Sequence, residues 1–338
     1  MVQIVKDILA AATLVFGFTS LVLFIADAPV LDAFKHIWLG SFASTMKFSQ
    51  VLAVWVPLIL CSCGLLFAFR ANLWNIGIEG QVIMGAIGGM AVLRFPGLEN
   101  PVLILTLSFI AAMITGGAWG LLAGLLKTRG GVHEIFGGLG LNFVAQGFIL
   151  WLIFGPWKRP GIASMSGTEL LPHKLWLSSP PGWRIAYAGL VVAICTLILT
   201  WLFLYKSKLG LKLKAIGKNP RAALLYDISP EGYYLLSIII CGAFAGMAGF
   251  MQITAVYHRL IPAISSGYGY LALLLVMLAG YRIVPIPFLA LFFAGLNVGA
   301  IQLPIVLQVD STLSGVIQGC CVLSALFGLG MRQRRKQL

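Results

Sequence analysis

Residues 74–86 read WNIGIEGQVIMGA, a run of polar and glycine positions that stands between two long apolar stretches. The run carries an acid, Glu79, in a chain of 338 residues of which 60% are hydrophobic and only 10% are charged. That composition, with a mean hydropathy of +0.98, is typical of a membrane protein with several spans and argues against a soluble domain. Polar chain inside a membrane is costly unless it is paired or lines a cavity, so this stretch is the first candidate for function.

Apolar runs recur along the whole chain, and about 20 residues of helix are needed to cross a hydrocarbon layer. We identify ten candidate spans: residues 8–26, 51–69, 80–93, 101–126, 134–155, 184–204, 233–255, 267–280, 284–303 and 313–331. The sequence therefore predicts an all-α polytopic membrane protein of about ten transmembrane helices, in one transmembrane domain over residues 1–338. The first run lacks the basic start and cleavage site of a signal peptide, so we expect it to be retained.

Two of the runs, the third (80–93) and the eighth (267–280), are shorter than a full span, and each follows a glycine-punctuated stretch after a long helix. The helix before one short run points inward and the helix before the other points outward. Helices 2–5 and 7–10 are therefore expected to form an inverted repeat. Short, glycine-interrupted segments at matching places in two halves indicate a translocation site in transporters.

Glycines spaced four residues apart favour close packing between membrane helices. Such spacings occur at Gly85 and Gly89, at Gly116, Gly120 and Gly124, and at Gly242 and Gly246. They predict a tight bundle and carry no information about a substrate.

Basic residues indicate the orientation, because Lys and Arg are retained on the cytoplasmic side. Clusters at 206–221 and 332–336 place both termini in the cytoplasm, and the net charge of +13 is mostly this topology signal, with anionic membrane lipid as a partner. Nucleic acid binding is not expected, because no basic face is interleaved with exposed aromatic residues. The six cysteines fall in predicted spans and the four histidines lie elsewhere, so we expect no metal site.

Two external segments are not predicted to span. Between residues 27 and 50, apolar positions follow helical spacing, which indicates a helix lying in the membrane interface. The external loop 156–182 contains five prolines and is expected to be irregular, either as a docking site for a partner or as a connector.

The cytoplasmic loop 205–231 contains its own helix signal. Asn219 suits an N-cap and Pro220 suits the first helical position, so the sequence predicts about two turns of exposed helix through Tyr226. A short rigid helix with small side chains can enter a groove on another protein, although a basic loop could also serve topology alone. The chain has no GxxxxGK[ST] motif, so nucleotide hydrolysis would have to come from a separate subunit.

The chain resembles the permease subunits of ATP-binding-cassette (ABC) importers of the branched-chain amino acid, ribose and nucleoside group, most closely the nucleoside and simple-sugar branch. The residues that carry the resemblance are 39–50, NLWNIGIEGQVIMGA at 72–86, GVHEIFGGLGLNFVA at 131–145, GLKLKAIGKNPRAALLYDIS at 210–229, CGAFAGMAGF at 241–250 and SSGYGYLALLLVMLAG at 265–280. Together they span most of the chain. The sequence departs from the usual pattern at residues 136–138, where Phe-Gly-Gly replaces Ser, Thr or Ile.

The resemblance implies a non-catalytic permease of the bacterial cytoplasmic (inner) membrane, which pairs with a second homologous permease, as a heterodimer, and receives its solute from an extracytoplasmic binding protein. A cytoplasmic ABC ATPase would use ATP and Mg, and this chain would bind no cofactor itself. The residues implied in ATPase coupling are Asn219, Pro220, Arg221, Ala222, Ala223 and Leu224. Nucleosides lead as the solute, with pentoses or hexoses next and a flavin-type solute as a further alternative.

Polar and aromatic residues near the two short runs are candidates for the translocation pathway: Asn75, Glu79, Gln81, Asn142, Gln146, Tyr268 and Tyr270. Asn142 and Gln146 lie one turn apart on one helical face, at a depth where amides must pair or line water. Glu79 begins a short helix, so the positive end of that helix favours its carboxylate, in either a capping or a pathway role. The two tyrosines could stack on a base or sugar, or belong to the aromatic belt of the membrane.

Two other classes of function remain open from the residues alone. An autonomous secondary carrier would share the inverted repeat, but usually has ionisable residues in mid-membrane, whereas the acids here cluster at the ends of spans. A membrane enzyme would need a nucleophile, a base or metal ligands at one depth, and the sequence shows no such set.

Overall fold

The computed structural model describes residues 29–97, 99–161 and 167–307, together with positions 17, 20, 21, 24, 315, 316, 319 and 323. The three ranges contain eleven α-helices and no β-strand. The helices are α1 (Val30–Phe42), α2 (Thr45–Arg70), α3 (Ile78–Leu93), α4 (Pro101–Thr128), α5 (Glu134–Phe154), α6 (Tyr187–Lys206), α7 (Lys208–Lys218), α8 (Pro220–Leu225), α9 (Pro230–Met251), α10 (Tyr268–Leu278) and α11 (Ile286–Leu307). The predicted spans 8–26 and 313–331 fall outside the described residues except at single positions.

Six of these helices are long and apolar enough to cross a membrane: α2, α4, α5, α6, α9 with its π-helical continuation Gln252–Val256, and α11. The shorter apolar helices α3 and α10 occupy the two predicted short runs. The structure thus confirms an all-α, multi-pass membrane protein in which two short helices interrupt the series of full spans.

The two long helices that precede the short ones form the centre of the bundle. The most apolar window is 78% buried in α2 and 61% in α9, but only 28% in α4 and in α6. Exposed apolar side chains such as Ile114 and Val191 cover the outer helices. This burial pattern suits a bundle whose periphery faces lipid.

Close backbone contacts hold α3, α4 and α9 together, as the glycine spacing predicts. A β-carbon added at Gly85 would lie 2.2 Å from the Gly246 α-carbon, and one at Gly116 would lie 2.3 Å from the Gly242 carbonyl oxygen. No side chain fits at such distances, so these helices touch through their backbones.

Each short helix runs beside the long helix of the other half. Helix α3 runs alongside α9, and Gly89 near the C-terminal end of α3 lies close to Ile253 in the π-helical continuation of α9. Helix α10 runs alongside α2, and the ring of Phe69, in the last turn of α2, lies 5.0 Å from the ring of Tyr281, just beyond α10. After each of the two long central helices the chain turns back into the bundle, through residues 71–77 before α3 and residues 257–267 before α10, which we call the return segments. Each return segment contains a residue with positive φ, Asn72 in the first and His258 in the second.

The segments outside the spans show one confirmed helix and one that the sequence did not predict. Helix α1 forms within the predicted segment, but it packs on α11, where the Ser41 hydroxyl donates to the Gly295 carbonyl oxygen at 2.6 Å. The basic loop contains α7 as well as the predicted α8. Helix α7 is amphipathic and buries Gly210, Leu213 and Ile216, so it is a docked helix and not an irregular stretch.

Candidate functional site

The N-terminal ends of α3 and α10 meet through one carboxylate. The Glu79 Oε1 atom accepts a hydrogen bond from the Tyr270 N–H at 3.0 Å, and Glu79 is 4% exposed. Glu79 lies in the first turn of α3, as the sequence indicates, but the helix end that its carboxylate contacts belongs to α10. A carboxylate is stabilised there because the first N–H groups of a helix have no partner within the helix.

Asn142 on α5 connects the same helix ends from the side. Its Oδ1 atom accepts from the Gly80 N–H at 2.8 Å, and its Nδ2 atom donates to the Ile76 carbonyl oxygen at 2.9 Å and to the Tyr270 hydroxyl at 3.0 Å. The amide therefore satisfies backbone groups of the return segment that leads into α3. Its oxygen and both its hydrogens have partners within the protein.

Asn75 and Gln81, next to this network in the chain, hydrogen-bond to each other through both of their side-chain amides. Asn75 Nδ2 donates to Gln81 Oε1 at 3.0 Å, and Gln81 Nε2 donates to Asn75 Oδ1 at 3.2 Å. Asn75 Nδ2 also lies 3.1 Å from the Cys241 sulfur on α9. Five of the seven pathway candidates are thus brought to one place, around the start of α3.

The other two candidates lie apart from that network. The Gln146 amide donates to the Pro262 carbonyl oxygen at 3.0 Å and so contacts the return segment before α10. Tyr268 is 7% exposed and lines a cavity of about 510 Å³ between α2, the π-helix and α11.

The cavity also contains residues that the sequence interpretation missed. The π-helix Gln252–Val256 supplies part of its wall, and the loop before α6 adds Trp176 and Trp183. The loop is fixed to the second return segment by main-chain hydrogen bonds, including Leu171 N–H to the His258 carbonyl oxygen at 2.8 Å. The available signal was Gln252 itself, an amide at the end of an otherwise apolar run.

The basic loop forms a separate surface from α7 and α8. The Asn219 Oδ1 atom accepts from the Ala222 N–H at 3.1 Å, which confirms the predicted N-cap of α8. Of the implied coupling residues, Arg221 and Leu224 are exposed whereas Ala223 is 3% exposed and packs inward. A groove of about 660 Å³ lies between the two helices and is lined mainly by apolar surface of Leu211, Ala215 and neighbouring residues.

Helix α7 rests directly on the end of α2. A β-carbon at Gly217 would lie 2.4 Å from the Arg70 carbonyl oxygen, and Lys212 Nζ donates to the Tyr233 hydroxyl at 2.8 Å. The α7–α8 surface is therefore attached to both central helices. Among the described residues, no group of three or more His, Cys, Asp or Glu side chains is placed to hold a metal ion.

Comparisons with known proteins agree with this architecture. A family model described as branched-chain amino acid transport system / permease component matches residues 47–326. The glucose ABC transporter permease protein TsgB13 of Haloferax volcanii is 32% identical over 321 residues, which cover 92% of this chain and 84% of that protein.

Two guanosine ABC transporter permease proteins of Bacillus subtilis are also similar. NupP is 27% identical over 310 residues, covering 90% of this chain and 88% of NupP. NupQ is 26% identical over 270 residues, covering 73% of this chain and 82% of NupQ. These matches confirm the resemblance to ABC permeases of the nucleoside and sugar branch, and the chain belongs to the family of branched-chain amino acid transport system permease components.

Proposed function

We propose that this chain is the transmembrane permease subunit of an ABC importer for a small polar solute, driven by ATP hydrolysis on a separate subunit. The observation that carries the proposal is the α7–α8 surface. An importer subunit needs a place where an ATPase can bind, and an exposed, N-capped helix with apolar side chains supplies one, whereas a chain that transports alone requires no such docking surface.

The exposed residues of α8 and its C-cap fit a docking role. Leu225 is 85% exposed and Tyr226 is 80% exposed, and Tyr226 also lines the groove between α7 and α8. Large apolar side chains at this exposure, next to a concave apolar surface, mark a protein interaction site. In the orientation that the basic residues favour, this surface faces the cytoplasm, where ATP and Mg are available to the partner.

The surface can also transmit force. Gly217 contacts the end of α2 and the first residues of the return segment, so movement of α7 reaches the chain that leads to Glu79. The five pathway candidates around the start of α3 would then hold this part of the chain against α10 while the solute passes. Pairing of Asn75 with Gln81, and of Glu79 with α10, supports this holding role.

We further infer that the chain works in the cytoplasmic membrane beside a second, homologous permease, with an external binding protein as the source of solute. Two different permeases with the same guanosine description occur in one organism among the relatives, which supports a heterodimer. Nucleosides are the first solute class to test and simple sugars the second, because the relatives include both.

The test is purification from native membranes in mild detergent, with mass spectrometry of the proteins that co-purify. We expect an ATPase and a second permease in stoichiometric amounts. Arg221→Glu and Leu225→Glu should remove the ATPase, because both side chains are exposed and their change leaves the bundle intact. Leu170→Glu, at a 51% exposed position in the loop before α6, is the matched control and should retain it.

Recovery of the wild-type chain alone in several gentle detergents, with solute uptake that persists after ATP depletion, would overturn the proposal. That result would establish an autonomous carrier. Ala223→Trp is a less specific variant, because Ala223 is buried and a large side chain there would displace α8 as a whole.

A further inference from the structure

The cavity between α2, the π-helix and α11 contains a buried polar atom without a partner. Gln252 is 1% exposed, and its side chain interacts with the Tyr268 hydroxyl, but its Oε1 atom accepts no hydrogen bond from the described residues. A buried amide oxygen left unpaired costs about 1–3 kcal/mol. Gln252 also lines the cavity, so a molecule entering it can supply the missing donor.

The backbone around Gln252 is also unusual, because it forms a π-helix. Gln252–Val256 form a π-helix at the end of α9, and π-helical turns are rare and frequently found at functional sites. Here the π-helix places Gln252, Ala255 and Val256 on the cavity wall. Thr254, in the same turn, does not line the cavity and bonds to the Phe250 carbonyl oxygen at 2.8 Å.

Flat aromatic surfaces complete the wall. The Trp176 ring is held between His258 and His173, with ring centroids 3.7 Å and 3.9 Å away, so neighbouring rings fix it in place. The other aromatic rings that line the cavity are Trp183, Tyr257 and Tyr268. Aromatic faces of this kind bind planar bases and the apolar faces of sugar rings. A volume of about 510 Å³ lies within the range of pockets for small molecules.

The charge of the lining selects against cations. Among the residues that the structure describes, no Asp or Glu lines the cavity, and the charged side chain in the lining is Arg184. Burial lowers the pKa of His258 and so favours the neutral ring, whose Nδ1 atom lies 3.0 Å from the Thr254 carbonyl oxygen. Amides at Gln50, Asn297 and Gln302 add hydrogen-bonding groups. Such a lining suits a neutral solute that carries hydroxyl donors and a ring.

We propose that this cavity is a solute-binding site of the permease itself, in which the Gln252 carbonyl oxygen accepts a hydrogen bond from a nucleoside hydroxyl or amino group while the base stacks on the aromatic wall. The inference rests on the proposed transport function and gives it a location. The site lies at the opposite end of α9 from the α7–α8 surface, so it can receive solute on the side away from the ATPase.

The test uses a cysteine placed in the cavity of the purified importer complex, without its binding protein, in lipid nanodiscs. Val256→Cys, at a 39% exposed position of the π-helix, is introduced with Cys195→Ser, Cys320→Ser and Cys321→Ser. Guanosine should slow its labelling by a hydrophilic maleimide. Labelling of Leu170→Cys, which does not line the cavity, should be unaffected.

A second substitution tests the Gln252 contact. Adding Gln252→Leu should raise the half-protecting guanosine concentration roughly tenfold, the effect of one lost hydrogen bond. Thr254→Val is the matched control, because it removes a buried polar atom from the same turn without changing the cavity; it should leave that concentration unchanged. Glucose is tested in parallel to distinguish the two solute classes.

Uptake by cells with and without the chain separates this proposal from the proposed function. If uptake of guanosine or glucose depends on the chain, but neither solute slows labelling of Val256→Cys, the cavity is not a binding site although the transport function stands. Equal half-protecting concentrations for Gln252→Leu and Thr254→Val would likewise overturn the role of Gln252. Loss of the chain with no effect on uptake of either solute would instead overturn nucleosides and simple sugars as the transported solutes, and with them the solute proposed for this cavity.

Discussion

Glu79 Oε1 and the Tyr270 N–H are 3.0 Å apart although the two residues are 191 positions apart in the chain. One carboxylate thus joins the starts of α3 and α10, which run from this point to opposite ends of the bundle. The first N–H groups of a helix have no hydrogen-bond partner within that helix, so the Tyr270 N–H depends on an acceptor from elsewhere in the chain.

Glu79→Leu should lower the free energy of unfolding by about 1–3 kcal/mol, because the Tyr270 N–H is left buried and unpaired. Glu79→Gln retains an acceptor oxygen and should cost less, while reducing solute uptake if the charge serves the pathway. Chemical unfolding in mixed micelles measures the first effect and uptake by cells the second. Equal stability of wild type and Glu79→Leu would contradict the joining role, and unchanged uptake in Glu79→Gln would leave a purely structural role.

Asn142→Leu should be more damaging than Gln146→Leu, although the two amides lie one turn apart on α5. Asn142 loses three hydrogen bonds and leaves the Gly80 N–H unpaired, whereas Gln146 loses one bond to Pro262. We expect a difference of at least ~1 kcal/mol in the free energy of unfolding. Similar values for both variants would show that the Asn142 network contributes no more than a single amide contact.

Gly85→Ala should prevent correct packing, because its β-carbon would lie 2.2 Å from the Gly246 α-carbon. Overpacking of this kind costs typically about 1–3 kcal/mol and more where only backbone can yield. Gly147→Ala is the control on α5, where a β-carbon has no neighbour within 4 Å. The yield of monodisperse protein on size-exclusion chromatography should fall for Gly85→Ala alone; equal yields would refute the close contact.

Gly217→Val tests the attachment of α7 to α2. The added side chain would meet the Arg70 carbonyl oxygen and displace the α7–α8 surface, so uptake should drop severalfold while membrane insertion persists. At Gly232 a β-carbon would make only ordinary contact, 3.7 Å from the Ser229 hydroxyl oxygen, so Gly232→Ala should retain uptake. Uptake per inserted molecule is the measurement, and full uptake in Gly217→Val would show that this contact transmits nothing.

The sequence predicted the features that depend on local signals. Asn219 and Pro220 mark the start of α8, and the two glycine-punctuated short runs became α3 and α10. Helix α7 was missed because its alternating lysines were interpreted as a topology signal. The spacing of Gly210, Leu213 and Ile216 carried a helical signal that would have found it.

Long-range partners could not be predicted in the same way. Nothing near Glu79 in the sequence indicates Tyr270, and nothing near Gln252 indicates a cavity formed with α11. Of the departures at residues 136–138, the one at Gly138 has a tertiary cause. A β-carbon at Gly138 would lie 2.6 Å from the Gly77 nitrogen, so a larger residue would collide with the return segment before α3.

The glycine contacts of α3, α4 and α9 have a consequence for how the molecule moves. Backbones that touch directly leave no free volume for one helix to slide along another, because packed interiors behave as solids and not as oil. We therefore expect α3, α4 and α9 to move together as one rigid body. A path for solute would then open between this rigid body and the helices packed around it, where the cavity beside α11 lies, and not between α3, α4 and α9.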